Sequence, residues 1–329
     1  MKVAVIGATG LVGSTMVQIL EERQFPVTEF IPVASEKTFD RKVRFMNMDY
    51  KVKTIKEALA FAPDIALFSA GSDISTKYAP EFVTVGTSVI DNSSAWRMDH
   101  DIKLVIPEVN GDVLNYDDKI IANPNCSTIQ LLMVIAPIYE HYGISRVVIS
   151  TYQSVTGSGL KAIHQLESER TGMNVEKFYP YPIDLNCLPH IDKFESNGYT
   201  KEEMKMINES RKILRDPSLR ITATAVRVPV MGGHSESVNL ELKQSFDFDD
   251  IISLLNNTPG VSVINDNSRN QYPMPIYSEG KDEVFVGRIR RDKSRKNSLN
   301  LWIVADNLRK GAATNTVQIA ETLIEKALI

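Results

Sequence analysis

Cys126 is the residue of this sequence best suited to nucleophilic chemistry. It follows the run NPN, where one apolar, strand-like stretch ends and a second apolar stretch begins with the spacing of a helix. A thiol at a helix N-terminus lies near unpaired backbone N–H groups and the positive end of the helix dipole, which favour the thiolate. The sequence therefore predicts a nucleophile at Cys126. The alternative is a structural thiol, because free cysteine is among the most buried residue types.

Acid–base chemistry needs a second group, and His234 is the best candidate among the five histidines. It follows a strand-like run and two glycines in RVPVMGGHSES, where the backbone can come close to a ligand. The remaining histidines stand in polar or helical contexts and are expected to be surface or structural residues: His100, His141, His164 and His190. A thiol, an imidazole and a nicotinamide cofactor together would perform aldehyde–acyl redox chemistry through a thioester.

The N-terminal residues are typical of a βαβ unit that binds a dinucleotide. The strand-like run KVAVI leads into GATGLVG and a helical pattern, and a second strand-like run, TEFIPVAS, follows. A phosphate would lie at the N-terminus of that helix. The spacing of Gly7, Gly10 and Gly13 departs from the strict dinucleotide fingerprint. Its position between a strand and a helix nevertheless supports a phosphate-binding turn.

The loop after the second strand indicates which cofactor is expected. NAD sites usually carry an acidic residue there, which holds the ribose 2′-hydroxyl. This chain has Ser35, Glu36, Lys37 and Thr38 in that region. A small hydroxyl residue followed by a lysine suits a 2′-phosphate, so the sequence predicts NADP. Glu36 would repel that phosphate if it pointed inward, and the alternative is that Glu36 and Lys37 are both solvated surface residues.

The pattern changes after Cys126. The runs RVVISTYQSV, RITATAVRVPV and ESVNLELKQS alternate and are rich in β-branched residues, as in a mixed or antiparallel sheet with one covered face. The predicted fold class is α/β, with a Rossmann-like NADP-binding domain of residues 1–125 and an α+β catalytic domain with a mixed sheet of residues 126–310. The amphipathic C-terminal helix, residues 311–329, is expected to return to the first domain.

Composition and charge exclude several classes of protein. The length of 329 residues favours two domains, and the net charge of -4 is mixed along the chain, which argues against a nucleic-acid partner. The two cysteines lie far apart, and no signal peptide is evident, so a cytoplasmic location is expected and a metal site is not. No membrane span is expected either, since the apolar run IQLLMVIAPI is too short and contains Gln130.

Five segments in a fixed order resemble a known family: GATGLVG, NPNCST, TYQSVTGSG, TAVRVPVMGGHSESV and KGAATNTVQIAE. They are similar to the motifs of bacterial aspartate-semialdehyde dehydrogenases, and the resemblance extends from the first residue to the last. It implies that aspartyl 4-phosphate and NADPH give aspartate semialdehyde, phosphate and NADP, in lysine, threonine and methionine biosynthesis. It also implies a homodimer, with residues 126–310 as the catalytic and dimerisation domain.

The resemblance implies the roles of the catalytic and cofactor residues. Cys126 would attack the acyl phosphate, His234 would move the proton, and Gln153 would orient the intermediate. Lys37, Thr38 and Asp40 stand where relatives commonly carry Arg-Ser and then a glycine, and TGSG replaces the more usual Ser-Gly-Ala-Gly. The implied cofactor contacts are Thr9, Gly10, Leu11, Val12, Lys37, Thr38, Thr156, Gly157 and Asn307.

The resemblance also implies the substrate contacts. Arg227 is similar to the family's clamp on the substrate α-carboxylate, for which a planar guanidinium suits bidentate pairing. Glu202 is similar to the glutamate that meets the substrate ammonium, with Glu203 the alternative if the register differs by one residue. Further implied substrate contacts, of which the first two resemble the family's phosphate-binding pair, are Arg97, Lys205 and Asn125.

Two other functions remain open from the sequence. N-acetyl-glutamyl-phosphate reductase shares the thioester chemistry but takes an acylated amine, whereas Glu202 and Arg227 together favour a free amino acid. A non-catalytic NADP-sensing protein would be expected to lack the nucleophile or the base, and both Cys126 and His234 are present.

Overall fold

The structure is a computed structural model that describes residues 1–35, 41–173 and 176–329. The chain divides into two compact units, one formed by Met1–Asn125 with Ala312–Ile329 and the other by Cys126–Gly311. The predicted 2′-phosphate residues Lys37 and Thr38 lie outside the described residues, as do Glu36 and Asp40.

The first unit contains a six-stranded parallel sheet, in the order β2-β1-β5-β6-β8-β7, and a two-stranded hairpin of β3 and β4. Its central strands are continuous apolar runs, as expected for a sheet covered on both faces. The strands are β1 (Lys2–Ile6), β2 (Glu29–Val33), β3 (Lys42–Phe45), β4 (Met48–Lys51), β5 (Ile65–Phe68), β6 (Ser88–Asp91), β7 (Lys103–Leu104) and β8 (Ile120–Ala122). The helices are α1 (Leu11–Glu22), α2 (Ile55–Ala60), α3 (Ser72–Thr84) and α4 (Pro107–Asn110).

The second unit contains a six-stranded mixed sheet, in the order β10-β9-β11-β14-β13-β12. The pairs β9/β10 and β12/β13 are parallel, and the other pairs are antiparallel. The strands are β9 (Ile144–Gln153), β10 (Arg220–Arg227), β11 (His234–Leu242), β12 (Val261–Val263), β13 (Val284–Arg291) and β14 (Ser298–Ala305). The helices are α5 (Cys126–Tyr142), α6 (Leu160–Arg170), α7 (Lys201–Ile213), α8 (Phe248–Asn256) and α9 (Pro275–Ser278).

Helix α5 covers one face of this mixed sheet. It contacts β9, β11, β13 and β14, and the run from Ser127 to Ala136 is buried. Along β11 buried residues alternate with more exposed ones from Glu236 onward, because successive side chains of a strand point to opposite faces. The side chains on the α5 side of β9 and β11 therefore form the core of this unit.

The C-terminal helix α10 (Thr314–Glu325) packs within the first unit, against α1, α4, β5 and β6. The Asn315 side-chain amide donates to the Val105 carbonyl at 3.0 Å and to Asn123 Oδ1 at 2.7 Å. The predicted fold class, including the return of this helix, is confirmed. Among the described residues, no helix has both the length and the apolar character needed to cross a bilayer.

Candidate active site

Three predicted site residues stand in one row across the mixed sheet. Gln153 at the end of β9 pairs with Arg227 at the end of β10 on one side and with His234 at the start of β11 on the other. Directly opposed residues on neighbouring strands present their side chains to the same face. All three side chains are at least 97% buried. The strand register therefore brings together an amide, a guanidinium and an imidazole that are distant in sequence.

Gln153 connects this row to the start of helix α5. Its side-chain amide donates to Ser127 Oγ at 3.0 Å and to Glu202 Oε1 at 3.1 Å. Cys126 precedes Ser127 and is the first residue of α5, as the sequence predicted, and its side chain is partly exposed. The nucleophile candidate thus stands at a helix N-terminus, beside a glutamine held by two defined hydrogen bonds.

His234 is fully buried and has two different ring nitrogens. Nδ1 accepts a hydrogen bond from the Ser154 backbone N–H at 3.1 Å, whereas Nε2 has no hydrogen-bond partner within the described residues. Burial, and then the positive charge of Arg227, lower the pKa of His234 from 6.5 to about 3, although Glu202 and a backbone hydrogen bond at Gly233 oppose the shift. The ring is therefore neutral near pH 7 in the unliganded protein.

Arg227 is buried beside the histidine. It donates from Nη1 to the Ser154 carbonyl, and its Nε has no partner within the described residues. A side-chain carbon at Gly157 would lie 3.1 Å from Arg227 Nη1 and 3.0 Å from His234 Nε2. Glycine at this position therefore leaves free the space in front of both groups, where a ligand could reach them.

Glu202 and Lys205 lie one turn apart on helix α7 and contact each other. Lys205 Nζ donates to Glu202 Oε2 at 3.2 Å and to Asp192 Oδ2 at 2.9 Å. Burial raises the pKa of Asp192, but its hydrogen bond with Lys205 helps to bring that pKa below the ordinary value. The buried carboxylate of Glu202 thus lies between Gln153 and a lysine, on the same side as the row of Arg227, Gln153 and His234.

Glu203 has a different environment. Its carboxylate accepts the Thr200 N–H at 2.7 Å and the Ala225 N–H at 2.9 Å, and Thr200 Oγ1 accepts the Glu203 N–H. This is a capping box at the start of α7, extended to strand β10. Because both oxygens of Glu203 bind backbone groups, the geometry favours Glu202 as the residue that faces a substrate.

Two predicted cofactor residues of the second unit lie close to His234. Asn307 Oδ1 lies 3.0 Å from Ser154 Oγ and 3.1 Å from Thr156 Oγ1, and either hydroxyl can donate to it. Ser154 Oγ is itself 3.1 Å from His234 Nδ1. Thr156 and Asn307 are therefore connected to the histidine through one hydroxyl.

The glycine turn of the first unit is built by backbone contacts. Gly7 has a φ of +91°, and a side-chain carbon at Gly13 would lie 2.0 Å from the Gly7 carbonyl oxygen. Helix α1 begins directly after Gly10, which provides no side-chain cap. The predicted contacts at the N-terminus of this helix, where backbone N–H groups can bind an anion, are Thr9, Gly10, Leu11 and Val12.

Arg97 and Asn125 are both buried in the first unit. Arg97 Nη2 donates to the Asn92 carbonyl at 2.9 Å, and Asn125 directly precedes Cys126 in the chain. In the described part of the chain, no group of three or more His, Cys, Asp or Glu side chains could hold a metal ion.

Three contact residues of the site were not predicted: Ser127, Ser154 and Asp192. Ser127 and Ser154 each follow a predicted catalytic residue directly, in NPNCST and TYQSVTGSG, so adjacency was a usable signal. Asp192 lies 13 positions before Lys205, in a loop, and no local pattern indicates their contact.

Two family models cover most of the chain. Residues 2–116 match the model described as semialdehyde dehydrogenase, NAD binding domain, and residues 135–310 match semialdehyde dehydrogenase, dimerisation domain. An aspartate-semialdehyde dehydrogenase from Aquifex aeolicus is 50% identical over 337 residues, which cover 100% of this chain and 99% of that protein. This chain belongs to the aspartate-semialdehyde dehydrogenase family. It is accordingly an oxidoreductase, and the two alternatives left open by the sequence are not favoured.

Solved structures of the same family agree with this fold. The crystal structure of aspartate semialdehyde dehydrogenase II from Vibrio cholerae has a TM-score of 0.94 at 44% identity and covers 98% of each chain. The structure of that enzyme complexed with ASA has a TM-score of 0.93 at 44% identity, also over 98% of each chain.

Proposed function

We propose that this protein is an NADP-dependent, phosphorylating aspartate-semialdehyde dehydrogenase. In the biosynthetic direction it would convert L-aspartyl 4-phosphate to L-aspartate 4-semialdehyde and release phosphate, on the route to lysine, threonine and methionine. One observation carries the proposal: the row of Arg227, Gln153 and His234, with Gln153 bonded to the residue that follows Cys126. A carboxylate clamp, an orienting amide and a proton carrier then lie beside a nucleophile.

The first unit fits a dinucleotide. The N-terminus of α1 has no side-chain cap, so its backbone N–H groups could bind a pyrophosphate, and the close approach of Gly13 to the Gly7 carbonyl keeps the preceding turn tight. The preference for NADP over NAD rests on the residue types Ser35, Lys37 and Thr38 in the sequence. When bound, NADPH would supply the hydride that reduces the thioester. Thr156, Gly157 and Asn307 are the proposed contacts in the second unit.

Cys126 is the proposed nucleophile. Its thiolate attacks the acyl carbon, the C–O bond to phosphate breaks, and phosphate leaves with the bonding pair, so that a thioester forms. After reduction of that carbon, the oxygen carries negative charge and accepts a proton from His234. The C–S bond then breaks as the hydroxyl returns its proton to His234, the aldehyde leaves, and the thiolate is restored. Gln153 orients the acyl oxygen throughout.

Substrate recognition would divide among three charged groups of the second unit. Arg227 binds the α-carboxylate through its guanidinium, whose Nε is free to donate. Glu202 binds the α-ammonium. Lys205 binds the phosphate, which competes with the Asp192 carboxylate for the Lys205 ammonium. Arg97 and Asn125 of the first unit are further proposed substrate contacts.

The protein is further proposed to be a cytoplasmic homodimer. Support for the dimer comes from the match of residues 135–310 to a dimerisation domain. A reducing compartment keeps a catalytic thiol reduced, and within the described residues neither Cys126 nor Cys187 forms a disulfide.

The test is the reverse reaction with purified protein. Aspartate semialdehyde and phosphate should reduce NADP, with little reduction of NAD and little turnover of the N-acetyl-glutamate aldehyde. Cys126→Ala should abolish turnover, whereas Cys187→Ala, which removes the exposed thiol, should retain it. Substantial activity of Cys126→Ala would refute the thioester route, and a preference for the N-acetylated aldehyde would refute the substrate assignment.

A further inference from the structure

The two ring nitrogens of His234 cannot play the same part. A backbone N–H can only donate, so Nδ1, which receives the Ser154 N–H at 3.1 Å, must present its lone pair. In the neutral ring the proton is then on Nε2. Nε2 is buried, lacks a partner within the described residues, and faces the space that Gly157 leaves free. The neutral ring thereby presents an N–H hydrogen-bond donor to that space.

The Ser154 hydroxyl stands between this histidine and the cofactor residues. Its oxygen lies 3.1 Å from His234 Nδ1, 3.0 Å from Asn307 Oδ1 and 2.9 Å from Thr156 Oγ1. A hydroxyl has a single hydrogen, so Ser154 can donate to the ring or to Asn307 but not to both. Thr156 can also donate to Asn307, at 3.1 Å, which leaves the Ser154 hydrogen for the ring.

We infer that Ser154 is a positioning residue, which holds His234 in the Nε2–H tautomer. Its hydrogen bond to His234 changes when a ligand contacts Thr156 or Asn307. A nicotinamide cofactor that contacts Asn307 or Thr156 changes which partner receives the Ser154 hydrogen. Cofactor binding then alters the hydrogen bonding of the proton donor itself. The inference rests on the proposed function, which assigns proton transfer to His234.

The first test is a double-mutant cycle in kcat. Ser154→Ala keeps the backbone N–H and removes the hydroxyl, and it should lower kcat about two- to tenfold with little change in the KM of aspartate semialdehyde. In a His234→Asn background the same change should have no further effect, because Ser154 acts through the ring. Ser154→Thr retains a hydroxyl and should recover most of the lost kcat.

Ser235→Ala is the matched control. It removes another buried hydroxyl from the residue next to His234, which points to the opposite face of β11. Its effect on kcat should be equal in both backgrounds. The inference is wrong if Ser154→Ala also lowers kcat equally in the native and His234→Asn backgrounds. It is also wrong if Ser154→Thr has no higher kcat than Ser154→Ala while both variants have the melting temperature of the native protein. If His234→Asn keeps the native kcat, the proposed function fails first.

The second test observes the tautomer directly. ¹⁵N spectra of histidine-labelled protein should show His234 with a protonated Nε2 and an unprotonated Nδ1. Addition of NADP should shift the Nδ1 resonance in the native protein and leave it unshifted in Ser154→Ala. A protonated Nδ1 in the native protein, or an equal NADP-induced shift in both proteins, would overturn the inference.

Discussion

The two units of the chain build their candidate sites from different materials. In the first unit, the turn from Gly7 to Gly13 is shaped by backbone atoms, and what matters about its glycines is the side chain they lack. In the second unit, the row of Arg227, Gln153 and His234 consists of side chains that adjacent strands hold in register. A site formed by backbone atoms tolerates changes of side chain outside the turn. A site formed by side chains on paired strands depends on each functional group.

This difference predicts where single substitutions act. In the second unit, removal of one functional group should change the rate and leave the fold intact, because the strands keep their register. In the first unit, addition of one methyl group should disturb the fold of the turn and cofactor binding together. The predictions below test this contrast, in order of decreasing effect.

Of the substitutions that test this contrast, His234→Asn should have the largest effect. General acid–base catalysis contributes about 10²–10⁴-fold, so kcat should fall by that factor, which is roughly 3–5 kcal/mol of barrier. The KM of aspartate semialdehyde and the affinity for NADP should change little. Steady-state kinetics and a binding titration check this. An effect limited to KM would mean that the residue binds substrate and transfers no proton.

Gly13→Ala tests the backbone site. The added carbon would lie 2.0 Å from the Gly7 oxygen and 3.0 Å from the Ala8 Cα, so the backbone must move. Overpacking of this kind costs about 1–3 kcal/mol or more in the free energy of unfolding, and NADP binding should weaken with it. Gly111→Ala is the control, since its nearest neighbours lie at 3.8 and 3.9 Å. Equal stability of the two variants in urea would contradict the backbone interpretation.

Adjacent glutamates should separate binding from folding. Glu202→Gln removes the charge proposed to meet the substrate ammonium, at a cost of roughly 1.5–3 kcal/mol, so KM should rise about ten- to a hundredfold. Glu203→Gln instead presents an amide N–H to one of two backbone donors, the Thr200 and Ala225 N–H groups, and should lower stability. The opposite assignment is correct if Glu203→Gln raises KM while Glu202→Gln leaves it unchanged.

The free energy of unfolding at acidic pH should depend on the lowered pKa of the buried His234 imidazole. With a pKa of about 3 in the folded protein and 6.5 in the unfolded chain, His234 takes up a proton on unfolding between these values. The free energy of unfolding therefore falls as pH falls through that window, by about 1.4 kcal/mol per pH unit from this residue. His234→Asn should flatten the slope by that amount in urea titrations from pH 7 to pH 4. An unchanged slope would show that the ring is charged when folded.

Glu236, two residues along the same strand, should have the opposite effect on the pH dependence of the free energy of unfolding. Burial raises the pKa of its carboxyl well above 4.5, so the folded protein keeps a proton that the unfolded chain loses. Its contribution to stability is present below pH 4.5 and is lost as pH rises toward the folded pKa. The two residues therefore narrow the pH range of greatest stability from both sides.

The sequence predicts the candidate sites of the two units unequally well. The glycine turn and Cys126 are local features, because a strand, a turn and a helix N-terminus follow each other along the chain. The row of Gln153, Arg227 and His234 depends on strand register, which no local pattern specifies, so the roles of Gln153 and Arg227 came from family resemblance alone.

The choice between Glu202 and Glu203 could have been made from a local sequence pattern. Thr200 followed three positions later by Glu203 is the spacing of a capping box, and it already indicated that Glu203 serves the helix. The contact of Asp192 with Lys205 joins a loop to a helix, and only tertiary structure reveals it. The predicted contacts Lys37 and Thr38 lie outside the described residues and remain predictions.

The two backbone bonds of Glu203 bear on the handedness of the substrate. By binding both Thr200 and Ala225, this carboxylate ties the first turn of α7 to strand β10, two residues before Arg227. Glu202 and Arg227 are thus held at a set spacing, and Cys126 is the proposed third point of attachment for the substrate. An α-carbon whose carboxylate, ammonium and side chain must meet three fixed points fits in one configuration. A racemic aldehyde should therefore be consumed only to half, and complete consumption would show that one of the three points is not used.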